Sequence, residues 1–351
     1  MGVATELKFR EGKKMKRVLL LLAGLTLLVT AQTAWAKSRS GIVTVDVDLS
    51  GQEKGKEVRL WLPYPVSDGD QQVSDIKVVG DFAASGVYTD RSARTPMLYA
   101  EWPKGAASRK ITFSFAVERQ EVIRRDFPKA EPAWNRSDYA EYLRPTSLGP
   151  IDGEVRKLAE RITGGKKTVA ERARAIYDWT CDNMYRDPNT RGCGKGDVCA
   201  LLSRPGGKCT DISSVFIALC RAAGVPAREV FSIRLGKKAE EDITGWQHCW
   251  AEFFVPGFGW VPADPADVRK AMLVEKLEVN DAKAKGYREY FWGGIDPYRV
   301  VIATGRDLLL NPPQSGAPLN TFGYPYAEVG GKPLDFYEPK SFVYRISYRE
   351  K

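Results

Sequence analysis

The chain has 351 residues, 43% of them hydrophobic and 28% charged, which excludes a disordered protein and leaves room for two domains with a sizeable core. Its formal net charge of +9 is scattered along the sequence with no recognisable nucleic-acid module, so the basic excess reads as solvated surface and no nucleic-acid partner is expected. With a single histidine and no Cys-x-x-Cys pair among six cysteines, no metal and no other cofactor is expected either.

In chain order, the first segment reads as a targeting signal. Lys13, Lys14, Lys16 and Arg17 precede an apolar run over residues 18–29, and Ala34-Trp35-Ala36 then offers a small-x-small cleavage site before Lys37. The run is shorter than the roughly 20 residues a bilayer requires, so residues 1–36 are read as a cleaved signal peptide, with Met15 a possible start. Loss of its six basic and two acidic residues lowers the net charge from +9 to +5. The first cysteine is Cys181, far from the cleavage point, which argues against a lipid anchor. The expectation is an exported protein, periplasmic or secreted, with no stable membrane insertion after cleavage.

Residues 42–117 alternate apolar and polar side chains in short runs such as Ile42-Val43-Thr44-Val45-Asp46-Val47 and Ile111-Thr112-Phe113-Ser114-Phe115. Pro, Gly, Asp and Ser clusters separate the runs, the pattern of a small antiparallel β-sandwich, assigned here to residues 37–127. Pro128, Pro132, Pro145 and Pro150 then mark a linker, residues 128–150, ahead of a second domain over residues 151–351.

That second domain opens with helical periodicity. Val155, Leu158, Ala159 and Ile162 line one face before Gly164-Gly165, and a second helix from about Thr168 buries Ala173, Ile176, Tyr177, Thr180 and Met184. A glycine-rich loop over residues 187–207 leads into Gly206-Gly207-Lys208-Cys209-Thr210-Asp211. Behind Cys209, the apolar spacing Ile212, Val215, Phe216, Leu219, Cys220, Ala223 predicts a helix that Gly224 and Pro226 end. A cysteine at the start of a helix sits among unpaired N–H groups and the positive end of the dipole, both of which favour thiolate. Cys193 and Cys199, in one glycine-rich loop of an exported protein, are expected to form a disulfide.

The period then changes to two. Residues 229–235, 247–255 and 260–264 read as strands, the last two joined across Pro256-Gly257-Phe258-Gly259, and further strands are expected at 299–304 and 341–348. Helices before and strands after give an α+β class. A thiolate needs a proton acceptor, and the acceptor needs a group that orients it. His248, the only histidine, lies in the strand Gln247-His248-Cys249-Trp250-Ala251-Glu252, and Asp264 follows in Pro262-Ala263-Asp264-Pro265. Alternation along the strand turns Cys249 away from His248 and leaves Cys209 as the better thiol partner. Parity adds a condition: His248 and Asp264 share a face of the sheet only if the hairpin loop has odd length or a bulge restores that register.

Gly207-Lys208-Cys209-Thr210-Asp211, the helix end Cys220-Arg221-Ala222-Ala223-Gly224-Val225-Pro226, the strand His248-Cys249-Trp250-Ala251-Glu252 and the turn Trp260-Val261-Pro262-Ala263-Asp264-Pro265 together resemble the transglutaminase-like superfamily in order and spacing. More weakly, the Trp61-Leu62-Pro63-Tyr64-Pro65 region and the tail from Leu319 to Tyr326 resemble flanking parts of its exported bacterial members. The resemblance implies a papain-like α+β core with Cys209 as nucleophile, His248 as base and Asp264 as orienting group. The implied substrate is a protein or peptide, attacked at an amide carbonyl through an acyl-thioester that is released to water or to an amine. It also implies an aromatic or amide oxyanion donor upstream, a place Tyr185 or Trp179 could fill, and it carries over no calcium site. Hydrolysis is the expected outcome; a cross-linking acyl transferase and a non-catalytic binding module are the alternatives.

Overall fold

The computed structural model describes residues 37–90 and 92–351, and the segment read as a signal peptide lies outside them. The first six strands are β1 (Ser38–Asp48), β2 (Val58–Pro63), β3 (Gln71–Gly80), β4 (Ala84–Thr89), β5 (Pro96–Trp102) and β6 (Lys110–Gln120). Alternation dictates their faces: Val43, Val45 and Val47 of β1 point inward while Asp46 between them is exposed. The helices α1 (Gly153–Thr163), α2 (Val169–Asn183), the short α3 (Val198–Ser203) and α4 (Cys209–Ala222) follow. Helix α2 starts at a capping box, in which Thr168 Oγ1 accepts from Glu171 N (3.1 Å) and Glu171 Oε2 accepts from Thr168 N (3.0 Å). Next come β7 (Ala227–Arg234), β8 (Glu240–Asp242), β9 (Gln247–Val255), β10 (Gly259–Ala263), helices α5 (Pro265–Glu275) and α6 (Ala282–Phe291), and strands β11 (Arg299–Thr304), β12 (Tyr326–Val329) and β13 (Val343–Glu350).

The strands form three antiparallel sheets of four or five members. Two make the sandwich: β8-β13-β1-β6-β3, and β12-β2-β5-β4 with the two-residue strand Lys332–Pro333 at its edge. The expected domain boundary therefore divides the chain but not the sheets, because β8, β12 and β13 lie beyond the proline-rich passage and complete sheets begun before it. Residues Lys37–Lys351 accordingly make one compact unit. Between the sandwich sheets lie Val45, Leu60, Leu98, Phe113 and Ile346, while Trp61, Met97 and Tyr99 on the opposite face join the core around α4. The long polar connection between β11 and β12 runs along that face, where Trp61 Nε1 donates to Pro312 O at 2.9 Å.

The third sheet, β10-β9-β7-β11, carries the helical half of this unit. Helix α4 is buried along its whole length and packs on this sheet through Ile212, Val215, Phe216 and Leu219 against Cys249, Ala251 and Phe253. The β9–β10 hairpin pairs Phe254 with Trp260, Val255 with Gly259 and Ala251 with Ala263, which leaves the three-residue loop Pro256-Gly257-Phe258. This is the odd-length loop that parity requires. Gly257 and Gly259 take φ of +76° and +111°, values that only glycine adopts cheaply.

The C-terminal strand is a load-carrying part of this arrangement: Ile346 faces Val45 in the β1–β13 register and is 6% exposed. Ile346→Ala should therefore lower the unfolding free energy by roughly 2–5 kcal/mol with one cooperative transition for the whole protein. Urea denaturation followed by tryptophan fluorescence checks this. A transition unchanged from the parent would mean that the strand is merely appended.

Candidate active site

Cys209 is the first residue of α4, and the loop ahead of it is tied down by one carboxylate. Asp211 Oδ1 accepts from the backbone N–H groups of Lys195 (3.0 Å) and Gly196 (2.7 Å), and Oδ2 accepts from Lys208 N (3.0 Å). Gly194 and Gly196, at φ of +95° and +70°, let the backbone come this close: a Cβ on Gly194 would lie 1.9 Å from Asp211 Oδ2. Burial is the leading influence on Asp211 and raises its pKa against these three hydrogen bonds. The Thr210 N–H donates to Cys193 O at 2.9 Å, which draws the loop over the start of the helix.

Three thiols meet there. The sulfur atoms of Cys193, Cys209 and Cys249 lie within 4.8 Å of one another, and all three residues are buried. All six cysteines are free, so the expected Cys193–Cys199 disulfide is absent. The physical reason is that α3 carries Cys199 to the surface while Cys193 turns inward, where Tyr324 Oη donates to its sulfur at 3.0 Å. Hydrogen bonds from Cys209 and Cys249, with a further one from Tyr324, hold the Cys193 thiol well below the ordinary range although burial opposes them. Cys249 moves the other way, pushed up by burial and by its two thiol neighbours. Strand alternation does turn Cys249 from His248, as expected, but it also points Cys249 at Cys209, which a one-dimensional reading could not foresee.

His248 lies on the other face of β9 beside Trp250, with ring centroids 6.4 Å apart. Its Nε2 is 2.7 Å from Asp264 Oδ2, and both residues are buried. Asp264 is also the N-cap of α5: Oδ1 accepts from Asp267 N at 2.9 Å, and Pro265 occupies the first turn. A carboxylate can only accept, so Nε2 carries the hydrogen and Nδ1 is left for proton transfer. Behind this pair stands a charge cluster not anticipated from sequence. Asp267 Oδ1 is 3.8 Å from His248 Nε2, and both Asp267 oxygens accept from Arg234 Nη2 at 2.7 Å. Arg299, wholly buried, donates to Asp264, to Asp267 (2.6 Å) and to Asp296 (2.7 Å).

Burial and the Arg234 charge pull the His248 pKa down, but Asp267 and Asp264 outweigh them and the net direction is up. Burial raises Asp264 and Asp267, and the opposing charges prevail: His248 and Arg299 lower Asp264, while Arg234, His248 and Arg299 lower Asp267 well below the carboxylate range.

Cys193, Cys209, Gln247 and His248 all line one cleft of about 680 Å³, walled on the far side by Trp246, Tyr324 and Phe336. Tyr185 and Trp179 are not among its lining residues; Tyr185 is 48% exposed and its ring covers Gly206. Gln247 presents instead a buried carboxamide whose Nε2 has no hydrogen-bond partner among the described residues.

A buried imidazole–carboxylate pair and a helix-start cysteine share one cleft of an α+β core. A family model described as the transglutaminase-like superfamily matches residues 156–265. The chain is 37% identical over 313 residues to an uncharacterized protein of Haemophilus influenzae, an alignment spanning 82% of this chain and 85% of that one. It is 25% identical over 170 residues to the uncharacterized protein YebA of Bacillus subtilis, covering 44% of this chain and 22% of that protein. Among solved structures, that of a candidate cysteine protease from Cytophaga hutchinsonii shares the fold at a TM-score of 0.53 and 18% identity, over 90% of this chain and 99% of that one. This chain belongs to the transglutaminase-like superfamily.

With one histidine in the sequence, a tag-free sample gives a single imidazole Cε1–H resonance. Its NMR titration midpoint should lie above 6.5 in the native protein and fall in Asp267→Asn, which removes a carboxylate that raises it. A raised histidine pKa contributes stability that is present below 6.5 and is lost as pH rises through the folded value. The lowered carboxylates contribute stability that is present above their ordinary value of 3.8 and is lost as pH falls through the folded values. A native midpoint at or below 6.5 would contradict the charge balance described here.

Proposed function

We propose that this protein is a thiol hydrolase that cleaves protein or peptide amide bonds, with Cys209 as nucleophile, His248 as base and Asp264 as its orienting partner. The observation that carries the reading is the buried 2.7 Å His248–Asp264 hydrogen bond in the cleft that also holds the helix-start thiol of Cys209. The Cys209 thiolate adds to the carbonyl carbon, and the electron pair moves to the carbonyl oxygen. The Cys209 backbone N–H at the positive end of α4 and the unpartnered Gln247 Nε2 are the donors suited to that oxyanion. His248 hands its Nδ1 proton to the leaving nitrogen as the C–N bond breaks, leaving a thioester on Cys209. Water attacks the thioester, His248 takes its proton, and the acid leaves with the thiolate restored.

Export is the second half of the proposal. It rests on the basic and apolar pattern of residues 1–36, and no described helix is long and apolar enough to cross a membrane.

Cys209→Ala and His248→Ala should each lower kcat/KM on a labelled casein by about 10³-fold or more with circular dichroism unchanged, while Asp264→Asn keeps more activity. Iodoacetamide at pH 6 should label Cys209 ahead of the exposed Cys199, read by peptide mass spectrometry. Equal activity in Cys209→Ala, or first labelling at Cys193 or Cys199, would overturn the assignment of the nucleophile. Dansylcadaverine incorporation outpacing hydrolysis would make the enzyme a cross-linking acyl transferase instead.

A further inference from the structure

The cleft wall is charged with one sign. Arg186, Lys208, Arg234, Lys237 and Lys270 line it, and no aspartate or glutamate among the described residues does. Arg234 is neutralised by Asp267, but Arg186, Lys208, Lys237 and Lys270 have no ion-pair partner among the described residues. Carboxylates close by are engaged elsewhere: Asp264 and Asp267 lie buried against Arg299 and His248, Asp211 is turned to three backbone N–H groups, and Glu241 accepts from the backbone N–H groups of Lys237 and Lys238.

The four free cations come from four separate places: the strand end before the glycine-rich loop, the N-cap of α4, the turn after β7, and helix α5. Two of them stand where a cation is unfavourable. Lys208 caps the positive end of α4, against the helix dipole. Lys270 is half-buried, and burial with the neighbouring Arg234 and Arg186 charges depresses its pKa. Like charges gathered against low-dielectric walls focus a positive potential on the space between them, and a negatively charged occupant offsets their mutual repulsion. The same wall presents Trp246, Tyr324, Phe336, Tyr337, Phe342 and Tyr344, which suits a chain with apolar as well as charged groups.

We infer that the segment bound in this cleft is an acidic polypeptide, whose Asp or Glu carboxylates on both sides of the amide presented to Cys209 are held by Lys208, Lys270, Arg186 and Lys237. The inference rests on the amide-hydrolase reading for the choice of a polypeptide over other anions, and it adds the substrate class to that reading. The spread of four cations around the thiol, rather than one arginine fork, fits several carboxylates along an extended chain. It also disfavours lysine-rich segments by direct repulsion.

Binding can be measured without turnover. Fluorescein-labelled twelve-residue peptides carrying five Glu, five Gln or five Lys in the same positions are titrated by anisotropy into Cys209→Ala protein, or into wild-type protein carboxamidomethylated at Cys209 should that variant fail to fold. The Glu peptide should bind about tenfold more tightly than the Gln peptide in 50 mM NaCl, lose most of that margin in about 300 mM NaCl, and lose it in Lys208→Gln/Lys270→Gln protein. Equal affinity for the Glu and Gln peptides, or a margin that survives the double substitution, would overturn the inference. Displacement by a single-stranded oligonucleotide at equal charge would also overturn it, since the cleft would then be a general polyanion surface. Glu-selective binding alongside a wild-type protein that cleaves no peptide would leave the acidic occupant standing and remove the hydrolase reading. Cleavage indifferent to peptide charge would do the reverse.

Discussion

Arg299 has no exposed surface, so its charge must be met inside the protein, and the site is built around that demand. Asp264, Asp267 and Asp296 answer it, with Arg234 on the outer side of Asp267. Three carboxylates against two guanidiniums leave one negative charge over beside the His248 imidazole, and Asp267 and Asp264 raise its pKa. The same arrangement fixes geometry, since the first residue of β11 is clamped to the first turn of α5 and so holds Asp264 against the strand that bears His248.

Two devices thus act on the two halves of the site. On the helix side, a glycine-rich loop is cinched by Asp211 and brings Cys193 over the start of α4. On the strand side, charge balance keeps the imidazole in one tautomer and one orientation. Cys193 and Cys249 enlarge the helix side from one thiol to three, and hydrogen bonds from Cys209 and Cys249 lower the pKa of Cys193. Tyr324, arriving from the connection between β11 and β12, donates its hydroxyl to the Cys193 sulfur.

Much of this was legible wherever the controlling interactions are local. The period of 3.6 behind Cys209 marked α4, the Thr168–Glu171 pair lies at the start of α2, and parity alone specified the β9–β10 register that sets Asp264 beside His248. Helix α5 carried a local signal that went unread: Asp264-Pro265 is an N-cap followed by a first-turn proline. Other features leave no local trace. Arg299 begins an apolar strand 35 positions from Asp264, and nothing in its neighbours marks it as buried. Cys193, Cys209 and Cys249 share no spacing motif, since a loop, a helix and a strand bring them together. Proximity in sequence is misleading for Cys193 and Cys199, because Cys193 lies in the loop before α3 and turns inward while Cys199, on α3 itself, is exposed.

The C-terminal strand β13 lies between β1 and β8, so the sheet that starts the described chain is closed by its last strand. During synthesis the ribosome delivers β1 some 300 residues before its partner, and the row of backbone groups on that edge of β1 must wait for it. The sandwich cannot be completed before β13 has been made: no nascent chain shorter than the stretch from β1 to β13 can bury Ile346 and Tyr348 or cover that edge. Until β13 arrives, that edge of β1 stays open, a situation in which a holding chaperone has a defined segment to protect.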